Sequence, residues 1–132
     1  MIEVELSRII IDEEKREQII VLREKNGSKT LPIVIGLTEA LAVRMKLSGF
    51  MPPRPLTHDL MKSLFDALEV RLEKVVIDKL VDSTFHAKLF LITKEGTKVV
   101  DARPSDSIAL AVRTNSPVFV EEEVFRRLEQ GL

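Results

Sequence analysis

Two short stretches of the chain echo each other: Arg54-Pro55-Leu56-Thr57-His58-Asp59 and Arg103-Pro104-Ser105-Asp106. Each sets an Arg-Pro corner before a hydroxyl residue and an Asp, with helix-forming residues following, so each reads as a charged loop feeding a helix N-terminus. A helix start exposes unpaired N–H groups and carries a partial positive charge; with Arg beside it, it suits phosphate or carboxylate. The Asp can hold a proton or a metal ion. Thr57 and Ser105 also have a structural use as preferred N-cap types, each worth about 1 kcal/mol, and Asp59 and Asp106 suit the first-turn dipole. Capping does not explain Arg54, His58, Arg103 or Asp101, the last closing an apolar strand just before the second corner.

His58 is one of 2 histidines, and imidazole is the side chain best suited to exchange protons near neutrality. His86 lies in an alternating stretch with Phe85, Ala87, Leu89 and Leu91, the setting of an ordinary strand residue. Asp59, Asp101 and Asp106 could gather a hard divalent cation such as magnesium or manganese, and Glu39, near the start of a helix, could join them. The same acids could equally form ion pairs with Arg54 and Arg103. The expectation is one concave pocket holding Arg54, His58, Asp59, Asp101, Arg103 and Asp106, completed by Glu39. No phosphate-binding Gly-rich loop, nucleophile elbow or dinucleotide fingerprint is present.

These residues need elements to position them. Apolar Ile2, Val4 and Leu6 alternate with Glu3, Glu5 and Ser7, a strand pattern. Residues 2–11 and 18–25 are predicted to form a hairpin, 31–35 a strand, and 37–48 a helix ended by Gly49 in a left-handed cap. Residues 51–56 form a proline-rich connector, and Leu60, Met61, Leu64, Phe65 and Leu68 mark one face of a helix over 57–69. Strands near 72–81, 85–94 and 97–102, a helix over 105–114, a short strand at 118–120 and a final charged helix complete the prediction.

Sliding the chain against itself by 69 positions sets Gly27 on Gly96, Lys25 on Lys94, and Ala40-Leu41-Ala42-Val43-Arg44 on Ala109-Leu110-Ala111-Val112-Arg113. The register predicts a duplicated strand, Gly-containing turn, strand and helix, with repeat units near 1–50 and 70–120 joined by a helical connector over 51–69. The expected class is therefore α+β, with mixed or antiparallel sheets and packed helices, in one domain over 1–132.

With 132 residues, 45% hydrophobic and 31% charged, the chain suits one ordinary core. A formal net charge of -1 supplies no global field to gather polyanions, so any nucleic-acid contact must be local. Trp and Tyr are absent, which counts against a base-stacking platform. Without Cys there is no disulfide, thiolate metal site or cysteine nucleophile. The opening residues lack a signal-peptide pattern and no stretch reaches the roughly 20 apolar residues of a membrane span, so a cytoplasmic location is the expectation.

At Leu31-Pro32-Ile33-Val34-Ile35-Gly36 with Glu39, at Arg54 to Leu60, and at Asp101 to Ala111, the chain resembles the bifunctional nuclease domain, described in bacteria and plants as degrading DNA and RNA. The segments fall in order over most of the chain. Val34 and His86 stand where relatives often carry an aromatic residue. The resemblance implies an α+β homodimer that hydrolyses phosphodiester bonds in DNA and RNA with little base preference; the lack of a membrane-length apolar stretch separately implies no membrane association. Apolar runs at Ile9-Ile10-Ile11 and Ile19-Ile20-Val21-Leu22 also favour a symmetric partner. In this reading Arg54, Thr57, Arg103 and Ser105 bind the substrate, Asp59, Asp101, Asp106 and Glu39 hold divalent metal, and His58 handles the proton of the attacking water. A non-catalytic dimeric module, binding a small anion or a protein partner at the same loops, is the alternative.

Overall fold

The computed structural model describes residues 1–12, 14, 15 and 17–131. The alternating N-terminal residues form β1 (Ile2–Ile10), paired antiparallel with β2 (Gln18–Glu24), which pairs antiparallel with β3 (Thr30–Ile35). α1 (Leu37–Leu47) follows and ends in a left-handed Gly49 with φ 77°, whose N–H donates to the Lys46 carbonyl while Phe50 N–H donates to Met45. This is the cap expected of glycine there.

The second half repeats the order. After α2 (Thr57–Ala67) come β4 (Arg71–Val81), β5 (Thr84–Thr93) and β6 (Gly96–Ala102), all antiparallel neighbours, then α3 (Pro104–Thr114). β7 (Val118–Val120) and α4 (Glu122–Glu129) close the described chain. One seven-stranded mixed sheet runs β3-β2-β1-β7-β4-β5-β6. β7 lies between the two repeats, antiparallel to β1 and parallel to β4. The class is α+β, and the strand–turn–strand–helix order occurs on both sides of β7.

The two turns differ in kind, against the expectation from Gly27 and Gly96. In the first repeat Glu24 N–H donates to the Lys29 carbonyl at 2.8 Å across Lys25–Ser28. In the second, Thr93 pairs directly with Gly96 around Lys94 and Glu95, and Gly96 takes φ 111°. The shorter loop needs a glycine conformation that the longer loop does not. The two Ala-Leu-Ala-Val-Arg segments are both helical, but Arg44 is exposed and Arg113 is only 5% exposed.

One core joins both halves: Ile20, Leu22, Leu31 and Val43 meet Ile77, Ile108, Val120 and Phe125. A second cluster packs Leu72, Val75 and Leu89 under Leu110, with Met61 and Phe65 of α2 against it. Fully burying each such large side chain stabilises the fold by about 1.5–3 kcal/mol. Together the clusters set α1, α2 and α3 side by side on the sheet. Among the described residues, no helix is long and apolar enough to cross a membrane.

Candidate functional site

α2 starts at Thr57 and α3 at Pro104, so the N-cap positions belong to Leu56 and Arg103, neither with a side-chain cap bond. This corrects the capping expected of Thr57 and Ser105. In α3, Pro104 suits the first helical position because its fixed φ is already helical and it has no N–H to leave unpaired. In α2 the Asp59 carboxylate reaches back and accepts from Leu56 N–H at 2.9 Å.

The Asp59 carboxylate also accepts from Arg113 Nε at 2.7 Å. Arg113 Nη1 donates to the Ala109 carbonyl at 3.0 Å and Nη2 to the Ala42 carbonyl at 3.1 Å. One guanidinium thus ties the starts of α2 to the bodies of α1 and α3. Burial pushes the Asp59 carboxyl up, but the Arg113 and Leu56 hydrogen bonds outweigh it and hold the group below the usual carboxylate range.

Next to this tie, His58 is 8% exposed, with Nε2 3.0 Å from Asp106 Oδ1. Asp106 also accepts from Arg103 Nε at 2.9 Å and Nη2 at 3.3 Å. Arg103 Nη2 lies 3.6 Å from Glu39 Oε1. For Asp106 too, burial raises the carboxyl, and hydrogen bonds from Arg103 and His58 bring the net below the ordinary range. Arg103 is shifted upward by its hydrogen bond to Asp106.

These groups rim a cleft of about 720 Å³ between α1, α2, α3 and β6, with Leu41, Met45, Met61 and Leu89 among its apolar walls. Glu39, Thr57, His58, Asp101, Arg103 and Asp106 all line it. The echoed loops therefore meet, as their sequence likeness predicted. Three of the expected residues go elsewhere. Arg54 is exposed on the connector and does not line the cleft, Asp59 turns to Arg113, and Ser105 lines a neighbouring cleft.

Asp101 touches the rim, yet its carboxylate belongs to the other face of the sheet. It sits opposite Lys88, whereas the neighbouring Val100 and Ala102 sit opposite Leu89 and Ala87, which are buried. Strand alternation therefore sends Asp101 away from the helices, to Lys88 Nζ at 3.0 Å. That hydrogen bond holds its carboxyl below the usual range. Lys88 Nζ is also 3.7 Å from Asp78, whose Oδ1 is buried with no partner among the described residues. His86 is a β5 residue opposite Lys79, as its alternating context predicted.

The four acids expected to hold a metal do not fit that use as they are placed. Asp59 is taken by Arg113, Asp101 by Lys88, and Asp106 and Glu39 by Arg103. Among the described residues, no three His, Asp or Glu side chains gather to hold an ion. What the rim offers instead is a His–Asp pair beside a guanidinium. Arg113 was missed in the sequence. Its signal was a lone cation in the apolar run Ile108-Ala109-Leu110-Ala111-Val112.

Residues 20–131 match the model of the bifunctional nuclease domain. The chain belongs to that family. It is 43% identical over 122 residues to an uncharacterized protein of Mycobacterium tuberculosis, covering 92% of this chain and 73% of that one. It is 31% identical over 119 residues to Bifunctional nuclease 2 of Oryza sativa subsp. japonica, and 29% over 108 residues to Bifunctional nuclease 1 of Arabidopsis thaliana. The matches cover 86% and 78% of this chain but only 36% and 33% of those plant proteins. The nuclease names therefore attach to chains of which this family domain is about a third.

Proposed function

We propose that the chain hydrolyses phosphodiester bonds of DNA and RNA with little base preference. The observation that carries this reading is the His58–Asp106–Arg103 constellation at the mouth of the cleft, supported by the family match. Asp106 accepts the Nε2 proton of His58, which leaves Nδ1 as the basic nitrogen, with no hydrogen bond among the described residues. An imidazole fixed in this way can take the proton of an attacking water. Arg103, 66% exposed at its side chain, offers positive charge to the phosphate as charge builds on its oxygens. Thr57 lines the same mouth and adds a hydroxyl. The apolar walls favour contact with sugar and base without reading hydrogen-bond patterns.

The test uses purified protein with single-stranded DNA and RNA of mixed sequence. His58→Ala and Asp106→Asn each reduce cleavage by about 100-fold. Wild-type rates in both folded variants overturn the catalytic roles. Rates with a chelator, and with added magnesium or manganese, measure whether divalent metal assists. Saturable binding without cleavage favours the module that binds an anion or a protein partner.

The same reading includes a homodimer in a reducing, cytoplasmic setting. Leu60, Leu64 and Leu68 form a stripe on or next to α2 at four-residue spacing and are 53%, 50% and 68% exposed, with Phe50 and Met51 also uncovered. An apolar stripe of this kind is the usual mark of a partner surface. A monomeric mass by light scattering at micromolar concentration counts against it.

A further inference from the structure

A second cleft of about 500 Å³ lies on the other side of Arg103. Its walls are Pro32 to Gly36 of β3 and the start of α1, Ser83 and Thr84 at the β4–β5 turn, and Arg103, Pro104 and Ser105 at the start of α3. Two of the segments that carry the family resemblance, Leu31–Gly36 and Arg103–Ser105, thus converge outside the first cleft.

The start of α3 is open. Its first helical bond runs from Ser107 N–H to the Arg103 carbonyl, so the Ser105 and Asp106 amides have no acceptor within the helix, and no side chain caps them. Ser105 lines the cleft at 6% exposure, and its hydroxyl has no hydrogen-bond partner among the described residues. The hydroxyl is not closed off from solvent, so it opens into the cleft with its hydrogen-bonding capacity unspent. Arg103 lines both clefts and spends Nε and Nη2 on Asp106 and Glu39, which leaves Nη1 to donate elsewhere. At the α1 end of the cleft the Glu39 carboxylate folds back beside Gly36, so the free positive end belongs to α3.

We propose that the second cleft binds a phosphate group of the substrate strand, adjacent to the one attacked in the first cleft. Ser105 Oγ, the Ser105 amide and Arg103 Nη1 are its donors. The assignment to a strand rests on the nuclease reading. Arg103, as the shared wall, then sets the distance between neighbouring phosphates. Glu17 lines the same cleft and is the carboxylate that opposes an anion there.

The experiment is an amide NMR titration of the whole labelled chain with inorganic phosphate, and with a 5′-phosphorylated dinucleotide, at constant ionic strength. Saturable shifts at the Ser105 and Asp106 amides are expected, with tighter binding of the dinucleotide. Ser105→Ala weakens binding about tenfold through loss of a bond to a charged group. Glu17→Gln tightens it and supplies the test if Ser105→Ala loses the native spectrum. Absence of saturable shifts, unchanged affinity in the folded variants, or no gain from the dinucleotide overturns the proposal. The readout is binding, so a chain that binds here and cleaves nothing sinks the nuclease reading alone. One that cleaves without these shifts sinks this subsite alone.

Discussion

Arg113 and Asp59 meet at 2.7 Å across 54 positions of sequence, and the Arg113 side chain is 3% exposed. Because His58 precedes Asp59 in α2, this pair sets where the imidazole stands relative to Asp106 on α3. It couples the stability of the helix layer to the geometry of the cleft.

Removing the cation is therefore expensive. Arg113→Met leaves Asp59 without its main partner and takes the extra side-chain donor from two helix carbonyls, Ala42 and Ala109. Unfolding in urea is expected to show a loss of about 3 kcal/mol. The double variant Arg113→Met with Asp59→Asn recovers part of it, since no unpaired charge remains. Equal losses in the single and double variants would falsify the coupling.

Acid should weaken the fold through the same carboxylates. Asp59 and Asp106 both have folded pKa values depressed below their unfolded values, in each case by hydrogen bonds that overcome burial. Their contribution is complete above the unfolded carboxylate pKa of about 4 and is lost as pH falls through the folded values. Urea midpoints measured downward from about pH 6 should fall, and the Asp59→Asn variant should show a shallower fall. Parallel profiles for the two proteins would remove Asp59 from the account.

Glu69 follows α2 with φ 57°, in a cap where Glu69 N–H donates to Asp66 and Val70 N–H to Phe65. A side chain in that left-handed region carries a cost that glycine avoids. Glu69→Gly should stabilise by about 1 kcal/mol, the exposed pair with Lys94 being a small loss. Gly49→Ala, at φ 77°, should destabilise by about as much. Thermal melting reads both signs.

A Cβ at Gly36 would lie 2.2 Å from Glu39 Oε2, while the Gly36 backbone itself is ordinary at φ -76°. Gly36→Ala should leave thermal stability nearly unchanged, because a flexible carboxylate can swing away. That swing breaks the 3.6 Å contact to Arg103. Cleavage kinetics are expected to change by no more than about fivefold, the scale of an exposed ion pair. A large loss of stability would show instead that Glu39 cannot move.

Much of this is legible in the sequence. Alternation marked β1, glycine marked the end of α1, and the two Arg-Pro corners announced helix starts that do meet. The destinations of individual charges were less legible. Asp59 is diverted by an arginine far away in sequence, which local spacing does not report. The place of Asp101 at a strand end suggests a binding role, although parity with the apolar Val100 and Ala102 assigns it to the opposite face. The caps shifted because Pro104 takes the first helical position in α3 and Asp59 serves the Leu56 amide in α2. The matched turn glycines misled because φ requires glycine at Gly96, in the shorter loop, and not at Gly27, in the longer one.

The order of the sheet leaves β3 and β6 as its edges, and β3 carries Pro32 opposite Val21. Counting alternately from the Glu24–Lys29 bond, that pair is a non-bonded one, so the proline nitrogen lies on the outward side and removes a donor from the rim. A filament built by head-to-tail strand addition needs both rims of every copy. Pro32 spoils one of them. The chain can thus keep an unprotected β6 rim without that rim becoming the start of an indefinitely growing fibre.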